Sequence, residues 1–532
     1  SMKNNSSLHH YINSSLITLL LYSSTPLLLT GCKDYLTAPE PGVQQLDDYF
    51  ISADAAKANI TGCYTPLMWE FNRTYCCEWF IGDIASDDAL KGGQNTLDMG
   101  NVYDIENWKT TSNNDLLLDF YQAQYQGIGR CNLALKYIEP MKQDTVLTSR
   151  LKNRFLGEAH FLRGYYYFRL LRVFGGTPLV TKVLETAAEW KQPRASVQSV
   201  FDQIIRDFEF ASNNLWLKSE YASSDLGRAT KGAAQAMLLK TYLYMASPYW
   251  NKQLSGSAEE YAKKAVLYGD SVMASNEYSL CAKYADNFTL EGENGPESVF
   301  EIQYSAEPWG DYNEGFGFTS GTFTTRLVRS RSAVISRCND AGWGFNHPTQ
   351  NLFNEFEAKD TVRRATAILV PDPAEMENAT EEIYLGSAYL NNKYGLYGVR
   401  LDHDTRGPLN NKQIRYADVL LMTAEARLIA GEGNAKELID KVRERAGLEG
   451  TTEGDLTKAL RHERRVELAM EGHRWFDIVR WGNAKAVMDA YKTTETEEAQ
   501  SHMATFIEGK HEIFPIPVEE IELNPMEQNP GY

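Results

Sequence analysis

The sequence predicts a mainly α-helical protein: tetratricopeptide-like helix pairs forming one compact body, with an irregular loop-rich insertion carrying a few short strands. Three observations predict it. Within Arg415–Trp481, Tyr416, Val419, Leu420, Thr423, Ala424 and Arg427 recur at helical spacing, Gly431 and Gly433 stop the run, and 435–445 supplies a partner helix. Comparable amphipathic stretches follow one another through the first half of the chain, as in stacked helix pairs. Residues 276–410 then lose the helical period, and a long irregular stretch inside a helical protein marks function or disorder. The predicted organisation is therefore a leader (1–31), a tether (32–48), a helical-repeat region (49–275), an irregular middle (276–410) and C-terminal repeats with a tail (411–532).

The leader carries Lys3 and an apolar run, Leu16 to Leu29, interrupted at 22–26. That run is too short and broken to span a bilayer as a helix. It ends Leu29-Thr30-Gly31-Cys32, which resembles a bacterial lipobox, where cleavage before the cysteine frees it for acylation. Several acyl chains anchor a protein without a transmembrane helix. Asp34, close behind Cys32, resembles a surface-export signal, and Pro39, Pro41 and Gly42 read as a tether.

Bulk composition narrows the function. The 532 residues are 43% hydrophobic, enough for a large core. The net charge of −18 argues against nucleic acid. Thirty tyrosines and ten tryptophans supply flat faces suited to sugar rings, although most such residues pack inside. The six cysteines after Cys32 fit no zinc spacing, and no metal or cofactor is expected.

In order, helices are predicted near 49–70, 116–138, 151–174, 196–215, 232–245 and 261–275. Between the first two, Asp83, Asp87, Asp88, Gly92 and Gly93 read as a solvated loop in preference to an ion site, since the EF-hand spacing fails. The aromatic run 165–168 points in several directions, so its helix should be surrounded. In the middle, 297–304 alternates like a strand, and the stretch beyond it is rich in Gly and aromatics. In the second C-terminal half, Asp455 reads as an N-cap and Gly472 as the stop. Glu463 and Glu467 share a helix face. They could form an acid–base pair, or be neutralised by Arg443, Arg445, Arg464 and Arg474. With no nucleophile, metal ligand or phosphate loop nearby, the second reading is preferred.

Several long phrases carry a family resemblance. RYADVLLMTAEA, VRERAGL and ERRVELAMEGHRWFDIVRWG, the tail IFPIPVEEIELNPMEQNPGY, and FLGEAHFLRGYYYFRLLRVFGGTPLV resemble the signatures of the SusD/RagB family. The resemblance implies a nutrient-binding lipoprotein of the outer membrane, facing the cell exterior and working with a SusC-like TonB-dependent transporter. It also implies that ligand lies where loops of the first repeat meet the middle insertion, here 79–108 and 309–343. Candidate stacking residues are Trp108, Trp309, Tyr312 and Trp343. Candidate polar partners are Asp87, Asn107, Asn313 and Arg337, and Cys32 is the lipidation site. The expected ligand is an oligosaccharide; a peptide is the alternative within the family. A glycoside hydrolase would need a carboxylate pair flanking the sugar, and no HExxH, GxSxG or CxxC pattern marks an enzyme of another class.

Overall fold

The computed structural model describes residues 49–68, 79–307, 320–379, 385 and 387–532. The leader, the tether with Cys32, the adjacent Cys76 and Cys77, and the expected contacts Trp309, Tyr312 and Asn313 lie outside the described residues. The chain divides into units 1–51 and 52–532, and the elements below belong to the second.

The first-half helices begin where a short polar side chain can satisfy the orphan amides of a first turn. Ser52 caps α1 (Ala53–Tyr64), Asn114 caps α2 (Asp115–Ile138) and Thr148 caps α3 (Ser149–Phe174). Ser196 caps α4 (Val197–Asn214) and Thr230 caps α5 (Lys231–Ala246). Ser257 and Glu260 form a reciprocal capping box on α6 (Ala258–Ala274). Each helix packs on the next: α2 on α3, α3 on α4, α4 on α5, α5 on α6, and α6 on α7 (Tyr416–Ala430). The chain thus leaves the stack after α6 and rejoins it at α7. The junction is tight, for a Cβ added at Gly269 of α6 would lie 2.1 Å from Thr423 Oγ1 of α7.

α3 sits at the centre of the first half. Its aromatic run is buried on all sides: Tyr165 meets Phe300, Tyr166 donates to the Cys63 carbonyl, Tyr167 to that of Val180, and Phe168 packs edge-on against Tyr244. Cys63, Cys131, Cys281 and Cys338 carry free thiols, and burial pushes the Cys131 thiol up.

Among the described residues, six short strands form three antiparallel pairs. They are β1 (Ala89–Gly92) with β3 (Phe345–Pro348), β2 (Ser298–Ile302) with β6 (Asn411–Arg415), and β4 (Ile368–Leu369) with β5 (Leu390–Asn391). β2 falls where the sequence places a strand, but all five of its residues are buried, so the alternation at Val299 and Glu301 marks no solvent face.

In the C-terminal part, α7 ends on Gly431 in a left-handed conformation, as the sequence predicts. α8 (Ala435–Arg445) packs Leu438, Ile439 and Val442 against Leu420, Leu421 and Ala424 of α7 and Leu460 of α9 (Leu456–Glu467). Asp455 accepts from the amides of Thr457 and Lys458, capping α9. α9 stops at Glu467, and the chain turns through Met470 and Gly472, both at positive φ, before Arg474–Arg480 and α10 (Ala484–Thr494).

Behind α9 lies a buried lattice of charges. Glu467 accepts from Arg415 at 2.9 Å, from Arg363 at 3.1 Å, and from Arg445. Glu463 accepts from Arg363 at 2.5 Å and Arg443 at 3.2 Å. The preferred reading of these carboxylates therefore describes their geometry, with a change of partners. Arg443 and Arg445 are in place, but Arg464 pairs with Asp418 and Asp477, and Arg474 pairs with Asp87. Burial alone would raise Glu467; the surrounding guanidinium groups hold it well below the usual carboxylate range.

Candidate functional site

The 79–108 segment pairs through β1 with β3, which lies just past residue 343. Ala89 faces Pro348, Leu90 faces His347 and Gly92 faces Phe345. Beyond the ladder, the Gly93 amide donates to the Gly344 carbonyl at 2.7 Å. Gly92, Gly93 and Gly344 all have positive φ, and a Cβ on Gly92 would lie 2.1 Å from the Gly344 oxygen. Only glycine allows both this backbone conformation and this approach. The buried Lys91 ammonium organises the turn that follows, donating to the carbonyls of Gly92, Asn95 and Asp98. Burial lowers it to about 8, against the pull of Glu106.

Trp343 lies immediately before this junction and is half-buried. Its ring stands edge-on to Phe323 at 4.8 Å, its amide donates to the Arg326 carbonyl, and its carbonyl accepts from Arg331. Arg331 reaches to 3.9 Å from Asp98 across the two segments. Asp340 bridges Arg326 at 2.5 Å and Arg329 at 3.1 Å. Burial opposes the Asp340 charge, but the Arg326 hydrogen bond and the Leu401 amide more than offset it, so its carboxyl is held below the ordinary range. This carboxylate fixes the backbone behind Trp343; its oxygens are already engaged. Residues 305–307 and Ser320 lie side by side: the Ser305 amide donates to the Ser320 carbonyl and the Ser320 hydroxyl to the Glu307 carbonyl.

The other expected contacts divide sharply. Arg337 is exposed, 46% by its side chain, and bound bidentately to Glu375 at 2.7 and 3.0 Å. Asp87, Asn107 and Trp108 are inside the fold, and no ligand reaches them at the surface without undoing that packing. Trp108 packs edge-on to Phe506, and the Asn107 amide donates to Tyr103. Asp87 lies 2.8 and 2.9 Å from Arg474 and 3.0 Å from Arg465. Burial pushes it up, but the two guanidinium groups outweigh burial and hold it at about 2.

The expected solvated loop is thereby corrected. Asp83, Asp87 and Asp88 are each 2% exposed or less. Their partners are supplied from C-terminal sequence: Arg465 on Asp88, Arg465 and Arg474 on Asp87, and the Gly472 amide on Asp83. Among the described residues, no group of three or more His, Cys, Asp and Glu side chains is placed to hold a metal ion. Sequence reasoning also missed the scaffold of Arg326, Arg329 and Asp340. Its one visible signal is the three-residue spacing of two arginines, Arg326 on the short helix Thr324–Val328 and Arg329 just after it.

Comparison with known proteins now has a geometry to attach to. The family model described as SusD family matches residues 379–532, and one described as "Starch-binding associating with outer membrane" matches 53–243. The chain belongs to the SusD/RagB family. A SusD-like protein of Bacteroides ovatus is 28% identical over 479 residues, covering 87% of this chain and 82% of its own length. A SusD-like protein of Formosa agariphila is 28% identical over 527 residues, covering 90% and 93%. A solved structure titled "Laminarin binding SusD-like protein" superposes with a TM-score of 0.76 at 26% identity, over 91% of this chain and all of that one. This SusD/RagB member shares their mainly helical fold with few short strands. No helix among its described residues is long and apolar enough to cross a membrane.

Proposed function

We propose that this SusD/RagB member is a lipid-anchored receptor on the outer face of the outer membrane. It holds an oligosaccharide and hands it to a SusC-like TonB-dependent transporter. The observation that carries the reading is the junction of β1 with β3, where two separate segments converge beside a half-buried tryptophan. A half-buried tryptophan beside irregular chain suits the C–H face of a sugar ring, while neighbouring polar side chains take its hydroxyls. Arg337 and Trp343 are the described members of this site; Trp309, Tyr312 and Asn313 are its members from the intervening sequence. The laminarin-binding relative supports a glycan as ligand, and the outer-membrane description of the matched family supports the location. The Cys32 lipobox supplies the anchor.

The receptor binds without chemistry in this reading. The carboxylate nearest Trp343 in sequence, Asp340, is committed to Arg326 and Arg329, and Glu463 and Glu467 are sealed among arginines. Calorimetric titration with a panel of neutral oligosaccharides, including laminari-oligosaccharides, tests the proposal. At least one should bind, Trp343→Ala should weaken it roughly tenfold or more, and no new reducing ends should form. Binding of peptides alone, or turnover of any glycan, would overturn it.

A further inference from the structure

A small cavity lies where α3, α5, β6 and the 471–473 turn meet, with Arg172, Lys240, Gln413, Glu471 and His473 on its wall. It measures about 20 Å³. A water needs roughly 10–15 Å³, so the space suits one very small molecule and no sugar or peptide side chain. It shares no residue with the Trp343 surface and is independent of the glycan reading.

Most polar groups on this wall are already matched. Gln413 accepts from the Tyr165 hydroxyl and donates to Asn411. Glu471 accepts from Arg415 and Lys393. Arg172 bonds Tyr244 and lies 4.0 Å from the Phe476 ring centroid. Lys240 and His473 differ. Lys240 is 4% exposed, and its ion pair with Asp418, at 3.7 Å, is too long for a hydrogen bond. His473 is 8% exposed, and although it stands at the start of the helix Arg474–Arg480, its side chain caps no amide there. Among the described residues, neither side chain makes a hydrogen bond. Buried polar groups are ordinarily paired, with protein or with ordered water.

The two groups are complementary in what they lack. Burial lowers Lys240 to about 8, against the pull of Asp418, so it stays largely charged at neutral pH and offers three donors. Burial and the Lys240 charge hold the His473 imidazole down at about 3, so the ring is neutral, with one bare nitrogen and one N–H. A molecule that serves both must accept from an ammonium and donate to a ring nitrogen. Charge narrows the choice further. Lys240 and Arg172 repel a cation, while Glu471 on the wall and Asp418 beside Lys240 disfavour an anion. A neutral molecule with a single oxygen remains.

We infer that this cavity is the site of a structural water, which accepts from the Lys240 ammonium and donates to the bare ring nitrogen of His473. The water fastens α5 to the turn that follows α9, the same turn whose Gly472 amide holds Asp83. The purified chain should be crystallised near neutral pH from a bromide salt, at a resolution that shows ordered water. One oxygen should lie ~2.7–3.2 Å from both Lys240 Nζ and a His473 ring nitrogen, with no anomalous bromide signal in the cavity. In solution, a nuclear Overhauser effect from water should reach the His473 ring protons. That signal should be lost in Lys240→Met, which keeps the length of the side chain and removes its donors, and the His473 ring nitrogen resonances should shift with it. A bromide peak in the cavity, no oxygen there, a direct Lys240–His473 contact that closes it, or an undiminished water signal in Lys240→Met would overturn the inference. Should Lys240→Met fail to fold, the wild-type density and water signal still decide it. Glycan titrations at Trp343 stand or fall separately.

Discussion

The lattice behind α9 and the surface around Trp343 both use arginine, and they use it oppositely. Behind α9, Arg363 and Arg415 are essentially fully buried, and every nearby carboxylate accepts from at least one guanidinium. Around Trp343, the arginines mostly tie down backbone: Arg329 donates to the carbonyls of Gly395, Leu396 and Val399, and Arg331 to that of Trp343. One region exchanges charge for charge and locks helices together. The other spends its donors on holding irregular chain in shape around a half-buried tryptophan.

The largest break in this contrast is Arg415→Ala. It takes one cation from each of Glu297, Glu467 and Glu471, leaving them Arg445, Arg363 and Lys393, and removing one partner from a buried network costs about 3–5 kcal/mol. Urea denaturation measures it; a loss under ~1 kcal/mol, the range of a surface pair, would mean the lattice is wet and weak.

Asp83 sharpens the comparison through pH. Burial raises its carboxyl from 3.8 to about 7, despite hydrogen bonds from Asn346 and the Gly472 amide; Asp88 adds to the rise and Lys393 opposes it. The folded state thus holds a proton that the unfolded chain has released. The resulting stability is fully present below about pH 4 and is lost as pH climbs through 7, at up to about 1.4 kcal/mol per pH unit. Asp83→Asn should remove that slope, so the stability difference between wild type and variant should shift steadily from about pH 4 to about pH 7 and level off above it. Parallel profiles would show that Asp83 is charged throughout.

Trp343→Ala is expected to move binding more than folding. Its effect on oligosaccharide affinity should be roughly 1.4 kcal/mol or more, with a smaller change in thermal midpoint than Arg415→Ala produces. A variant that melts early yet still binds would return Trp343 to a packing role. The smallest effect belongs to Arg337→Ala: its exposed pair with Glu375 is worth under ~1 kcal/mol, so stability should barely change. Any sizeable change in glycan affinity would then report ligand contact.

The helices were legible because their evidence is local. Ser196, Thr230, Ser257 and Asp455 sit where a cap belongs, followed by apolar residues at the right period, and neither signal requires knowledge of distant sequence. The 83–88 run misleads for the opposite reason. Three aspartates among small residues look solvated, and their partners lie far along the chain, at Asn346, Arg465, Gly472 and Arg474. Trp108 likewise reads as a contact residue until Phe506 is found against it.

The neck at Ser305 and Ser320 has a consequence for how such receptors diversify. The residues flanking the intervening dozen or so are tied by one backbone bond and one from the Ser320 hydroxyl, neither of which depends on which side chains lie between them. That stretch can be rewritten as an exchangeable cassette while the helices beneath go on folding as before. Lineages facing a new polysaccharide could then change their diet without rebuilding the scaffold.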